Sequence, residues 1–349
     1  MTGKVPRALL MALVFFASTV AGVRAWAQAP PQIGPRDAAP APAAQWEKLT
    51  PSDGLADSRR LELGGAALQV DFAPGPLDLG EEPILNHIQA AALAIVAYYG
   101  RFPVSRARVL VVPVASRGGD PQGTTWGDAG GFQGFTRLRI GEHTTQDDLD
   151  DDWVTTHELV HMAFPSQDRD QHWIEEGLAT YVEPLARVMT GELTARRVWS
   201  DMFRDMHQGE PQPGDQGLDH THTWGRTYWG GALFCMVADV EIRRETHNRK
   251  GLQDALRGIV SAGGTIDQEW PLEKAFEIGD RATGTHVLTT MYAQWKDAPV
   301  TVDLDHLWSE LGIRRAGDGI EFVPTAPLAA IREAIAGEAT APAPRAAAP

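Results

Sequence analysis

Residues 153–164 read WVTTHELVHMAF, and the reading of His157, Glu158, Leu159, Val160 and His161 governs what is expected of the rest. Residues four apart share one face of a helix, so both imidazoles can reach a single ion. Neutral imidazole suits zinc, and Glu158 lies beside the open coordination position as a general base. The alternative is a surface helix with two solvated histidines. Against it, Trp153, Val154, Leu159, Val160 and Phe164 make the segment substantially apolar, and polar groups inside such an element need a partner or a metal. A zinc ion that performs chemistry takes a third protein ligand. HWIEEGLATYVEP, residues 172–184, offers Glu175 and Glu176 at the start of another helical segment, with His172 as a weaker choice.

H-E-x-x-H followed by W-x-x-E-G-x-A-x-Y resembles the gluzincin metallopeptidases, in particular the aminopeptidase N, leukotriene hydrolase and glycyl aminopeptidase group. The metzincin pattern is absent, since Gln167 stands where its third histidine would fall. The resemblance covers roughly residues 84–310. It implies one zinc held by His157, His161 and Glu176, because the family's glutamate before the glycine is the ligand. It implies that Tyr228 of TYWGGALFCMVADVEIR matches the tyrosine that stabilises the tetrahedral intermediate. It also sets GGFQG, residues 130–134, where the family carries a glycine-rich segment whose glutamate binds the substrate's amino terminus. Gly131 and Gln133 are the substrate-binding positions on that basis, and Gln133 supplies no negative charge. The fold implied is α+β: a thermolysin-like catalytic domain, a small mixed β-sheet followed by a mostly helical half.

The remainder of the chain is compatible with this. Its 349 residues are 43% hydrophobic and 22% charged, with a formal net charge of -15, which leaves no cationic footprint for nucleic acid. The single cysteine, Cys235, excludes an internal disulfide and reads as a core thiol. Residues 1–27 read as a signal peptide: Lys4 and Arg7, an apolar run, then Ala25 and Ala27 at the cleavage site. An uncleaved anchor is the rival. Export to the periplasm or medium follows, with no membrane span once the signal is removed. Residues 28–45 and 337–349 are Pro/Ala-rich and read as disordered. Between them, residues 46–80 form a short hairpin region and 81–325 the catalytic domain.

Alternation around Gly64 and Gly65 predicts the hairpin, and the apolar period of residues 84–99 a helix. Residues 109–112 read as a buried strand, and 135–140 as the sheet edge on which an extended peptide can add. Helices are expected near 153–164, 171–187, 193–207, 226–246, 252–261 and 285–296. The acidic run of Asp147, Asp148, Asp150, Asp151 and Asp152 reads as helix capping rather than a calcium site. Thr180 and Glu183 are expected to hold the histidines' second nitrogens. His207, His220 and His222 fall in a solvated loop, and Trp126 near the Gly-Gly segment is placed to shape a pocket.

The expected function is hydrolysis of peptide bonds in a peptide or protein substrate by a zinc-activated water with Glu158 as base. Exo- and endo-cleavage are both open, as is oligomeric state. The alternatives are a gluzincin-like binding domain without turnover and a zinc hydrolase of non-peptide substrates.

Overall fold

Two glycines set the first turn. Gly64 and Gly65 both take positive φ (56° and 82°), the backbone that a two-residue hairpin requires, and they join β2 (Asp57–Leu63) to β3 (Ala66–Phe72). A side chain at Gly64 would also meet Val96 and the backbone of Phe102. The computed structural model describes residues 46–115, 118–119 and 121–337. The expected signal peptide and linker, and the tail beyond residue 337, lie outside the described residues.

The hairpin is continuous with the rest of the sheet. A short β1 (Glu47–Lys48) pairs with β2, and β3 runs parallel to β4 (Arg106–Val114). The connection between β3 and β4 is α1 (Glu81–Tyr99), which buries Ile84, Leu85, Ile88, Ala92 and Ile95. Next in the sheet stands β6 (Phe132–Gly141), parallel to β4, and beyond it β5 (Gln122–Ala129), antiparallel to β6, giving the order β1-β2-β3-β4-β6-β5. The strand expected at 135–140 is therefore interior, and β5 is the edge. Nothing in QGTTWGDA alternates apolar with polar, for a structural reason. A Cβ at Gly123 would overlap Glu158, and one at Gly127 the carbonyl of Ile266. The inner face of β5 lies so close to its neighbours that side chains which would have produced the alternation do not fit.

The helical half begins with α2 (Gln146–Asp151), opened by a capping box between Thr145 and Asp148. Asp152 then accepts from the N–H groups of Val154 and Thr155 at 2.7 and 3.1 Å, opening α3 (Val154–His161). The acidic run thus caps helices, as its position implied. α3 stops at His161, short of the expected residue 164. There follow α4 (His172–Thr190), α5 (Ala195–Asp205), a π-helical turn (Gly225–Gly230) that continues into α6 (Gly231–Glu245), α7 (Leu252–Ser261), α8 (Leu272–Thr283), α9 (Val287–Trp295) and α10 (Leu304–Leu311). A small hairpin of β7 (Ile313–Ala316) and β8 (Gly319–Phe322) precedes α11 (Ala329–Ala336). α11 lies past the expected boundary at 325 and is tied down: the indole N–H of Trp199 donates to the carbonyl of Ala336 at 2.9 Å.

One packing contact fixes the site. α4 and α6 cross where Gly177 meets Gly231, and a Cβ on either would fall 2.1–2.3 Å from the other helix's backbone. Only two glycines permit that approach. Gly177 follows Glu176 directly, and Gly231 lies three residues past Tyr228, so the crossing sets one against the other. Cys235 is buried in the same helix, as expected of a core thiol.

Candidate metal centre

His157 and His161 project from successive turns of α3, their rings perpendicular with centroids 4.9 Å apart. Glu176 reaches them from α4. Its Oε2 lies 3.1 Å from His157 Nε2 and 3.8 Å from His161 Nε2, and the three donor atoms all fall within 4.8 Å of one another. Ligands about 2.0–2.2 Å from a tetrahedral zinc stand roughly 3.4 Å from each other. The three donors fit that ion in spacing and in type. Burial pushes the His161 imidazole down to about 4, so it is neutral with a lone pair to give. Burial acts the other way on Glu176, but the bonds from His157 and His172 and the charges beside it outweigh that and hold the carboxyl below its usual range.

His172 takes a different place from the one its sequence position allowed. It stands on the far side of Glu176, with Nε2 3.1 Å from Oε1 and Nδ1 2.9 Å from Glu175 Oε2. Those two bonds push it up to about 10, which makes it a cation that orients both acids. Glu175 is further engaged by the backbone N–H of Gln167 at 3.2 Å and stays outside the cluster.

Glu158 is buried beside the donors, and Thr125 on the edge strand donates to its Oε2 at 2.7 Å. Burial raises its pKa, partly opposed by the Thr125 bond and by His157. Across the cluster, the Tyr228 ring stacks on that of His157 with centroids 6.2 Å apart. Its phenol is pushed up to about 12 by burial, then by the charge and hydrogen bond of Glu176. Tyr228 rides on the π-helical turn, a local geometry found mostly at functional sites. That turn is pinned by the buried Arg226, which pairs with Asp215 at 2.7 Å and donates to the carbonyl of Gly209.

Other expected positions lie apart. Gln133 spends its amide elsewhere: Oε1 accepts from Ser105 N and Oγ at 2.9 and 2.6 Å, and Nε2 donates to Asp267 at 3.0 Å. It stands three residues, about 10 Å of strand, from the Thr136 that bonds Thr125. Gly131 sits in the β5–β6 turn at φ 82°. Neither Thr180 nor Glu183 hydrogen-bonds a histidine among the described residues, where the buried Nδ1 of His157 meets no partner. Glu183 instead accepts from Arg187 at 3.1 Å, its carboxyl pushed up to about 7 by burial against the pull of that arginine. His220 pairs with Asp297 in the surface loop, and Trp126 stacks on Phe135 at the sheet's outer side. The residues that the sequence reading passed over are Gly123 and Thr125, whose alternate spacing was the one visible signal.

No protein-family model matches the chain, and no curated protein matches it in sequence. Solved structures do. An aminopeptidase N family protein from Idiomarina loihiensis is 12% identical with a TM-score of 0.53, over 78% of this chain and 49% of its own. A mutant M1 zinc metallopeptidase from Deinococcus radiodurans is 16% identical with a TM-score of 0.46, over 74% of this chain and 54% of its own. The chain spans about half the length of both. No described helix is long and apolar enough to cross a membrane. In fold, this chain is like the aminopeptidase N family protein, with His157, His161 and Glu176 gathered where its sheet meets its helices.

Proposed function

We propose that the chain is an exported zinc-dependent peptidase, with His157, His161 and Glu176 holding the ion, Glu158 as general base and Tyr228 as oxyanion donor. The observation that carries this is the convergence of three donors of the right type with the buried Glu158 carboxylate and the half-buried Tyr228 phenol beside them. Zinc bound there supplies Lewis acidity that polarises a carbonyl and acidifies water. Glu158, desolvated and oriented by Thr125, takes the proton of the attacking water and passes it to the leaving amine. Its raised pKa strengthens it as that base. Tyr228 keeps its proton throughout the neutral range and donates to the carbonyl oxygen as negative charge builds, a contribution of about 2–4 kcal/mol at comparable sites.

The substrate follows from the edge strand. β5 carries backbone donors and acceptors on its open side, and its Thr125 touches the base, so an extended peptide paired to β5 passes the cluster. The deciding experiment compares zinc content and peptide hydrolysis in the wild-type chain and in Glu158→Gln. Wild type should hold about one zinc and cleave; the variant should hold the same zinc and not cleave. A wild-type chain that takes up no zinc in metal-replete buffer would sink the reading.

A further inference from the structure

A cavity of about 470 Å³ lies beside the metal cluster, behind Tyr228 and Trp153. Tyr228 and Trp153 form part of its wall, and both lean on His157, with ring centroids 6.2 and 5.1 Å from the imidazole. The cavity and the cluster therefore share a boundary. We propose that this cavity receives a large aromatic side chain of the residue on one side of the scissile bond, and that it turns away acidic side chains. The assignment rests on the peptidase reading and names its substrate.

Size, walls and charge each point to that occupant. The volume lies in the range of pockets that take a small organic ligand and exceeds what a short aliphatic side chain fills. Trp153, Trp224 and Trp229 supply aromatic faces, and Met202 and Met206 supply polarisable sulfur, which packs well against rings. Trp153 is 44% exposed and Trp224 61%, and Trp224 stacks on Tyr228. Folding gives no reason to leave two indoles at one opening, whereas a partner ring does.

The charges form a closed set. Arg187 pairs with Glu183 at 3.1 Å, Arg197 with Asp201 at 2.7 Å, and Arg204 with Asp201 at 2.8 Å. Each arginine lining the cavity thus has an acid, Arg204 pairing with Asp205 as well, and Asp150 and Asp151 stand there in addition. A substrate carboxylate entering would find no unpaired cation and an excess of like charge, so its desolvation is uncompensated. The same pairing leaves the deep acids without call for a substrate cation.

The test uses the full zinc-loaded chain and peptides varied on both sides of the scissile bond. Phe, Tyr or Trp at one position should exceed Ala there by at least about tenfold in kcat/KM, with Asp and Glu lowest. Met202→Trp, or Leu193→Trp should the first not fold, fills the cavity and should collapse the aromatic-to-Ala ratio toward one. A second readout needs no turnover. In Glu158→Gln, N-acetyl-phenylalaninamide should quench the indole fluorescence saturably, N-acetyl-glutamate amide should not, and Met202→Trp should weaken the first by at least about tenfold. Cleavage with no aromatic preference at either position, a Lys or Arg optimum, or an unchanged ratio in the filled variants would overturn the pocket and leave the peptidase intact. Specific aromatic binding without cleavage of any peptide would keep the pocket and overturn the peptidase.

Discussion

Thr125 shows how much a single hydroxyl can govern. Its Oγ stands 2.7 Å from Glu158 Oε2, a bond that favours the ionised carboxylate against the burial that disfavours it. Thr125→Val removes the donor, so the Glu158 pKa rises further above its ordinary value. The base must be unprotonated to act, so the acidic limb of kcat/KM should move to higher pH, with zinc content unchanged. A limb that stays in place would show that this bond does not bear on the free enzyme. Tyr228→Phe should lower kcat about a hundredfold with KM little altered, since its donor acts on charge that appears in the transition state. Both variants are read by steady-state rates across pH. At this scale the pairing of His157 and His161 was legible because four-residue spacing on a helix is itself a geometric statement, whereas Glu176 was singled out from Glu175 by the family resemblance. Thr125 was not, since nothing local ties a threonine at 125 to a glutamate at 158. Gln133 was placed by the family resemblance, and no local pattern announces that Ser105 and Asp267 engage its amide.

Among elements, those with a clean apolar stripe were readable. α1, α4, α7 and α9 fall close to where periodicity placed them. α8 was passed over because several of its buried positions are small or polar: Ala275, Gly279, Asp280 and Thr283. Their inward direction is set by packing, and hydrophobicity does not report it. β5 escaped for a related reason, its inner face being Gly123, Thr125 and Gly127, and the loss of that signal transferred the edge to the wrong strand. The π-helical turn under Tyr228 has no sequence pattern of its own; Arg226 and Asp215 hold it through an ion pair formed across eleven residues. At the crossing of α4 and α6, Gly231→Ala is expected to push the helices apart. It should cost about 1–3 kcal/mol of stability by thermal melting and weaken zinc retention together with turnover, because Glu176 rides on the displaced helix. A variant with wild-type stability and rate would mean that the crossing is looser than it stands here.

Over the whole molecule, the α+β arrangement was legible from the switch between alternating and helical periods, but the extent of the folded unit was not. Residues 326–336, between the expected domain end at 325 and the Pro/Ala-rich tail at 337–349, were assigned to neither, and α11 falls there. Yet Arg332 is buried there and donates to the carbonyls of Leu311 and Gly312 at 3.1 and 3.2 Å, closing the end of α10, and Ala336 caps the indole of Trp199. A chain ending at residue 325 should therefore melt roughly 5 °C or more below the full chain, and one ending at 337 should melt with it. Equal melting of all three would assign α11 no part in the fold's stability.

The meeting of Gly177 and Gly231 also bears on how such a chain can diverge. Most core sites change size in compensating pairs, one residue growing as its neighbour shrinks. Here both partners are already at the lower limit, so the first step on either helix clashes with backbone and no later step on the other can relieve it. Neutral drift is closed at this point, and with it any gradual change in the spacing of Glu176 and Tyr228. The cavity walls of α5 and the Trp224 side are under no such restriction. Residues there can be exchanged one at a time while the spacing of Glu176 and Tyr228 is inherited unaltered.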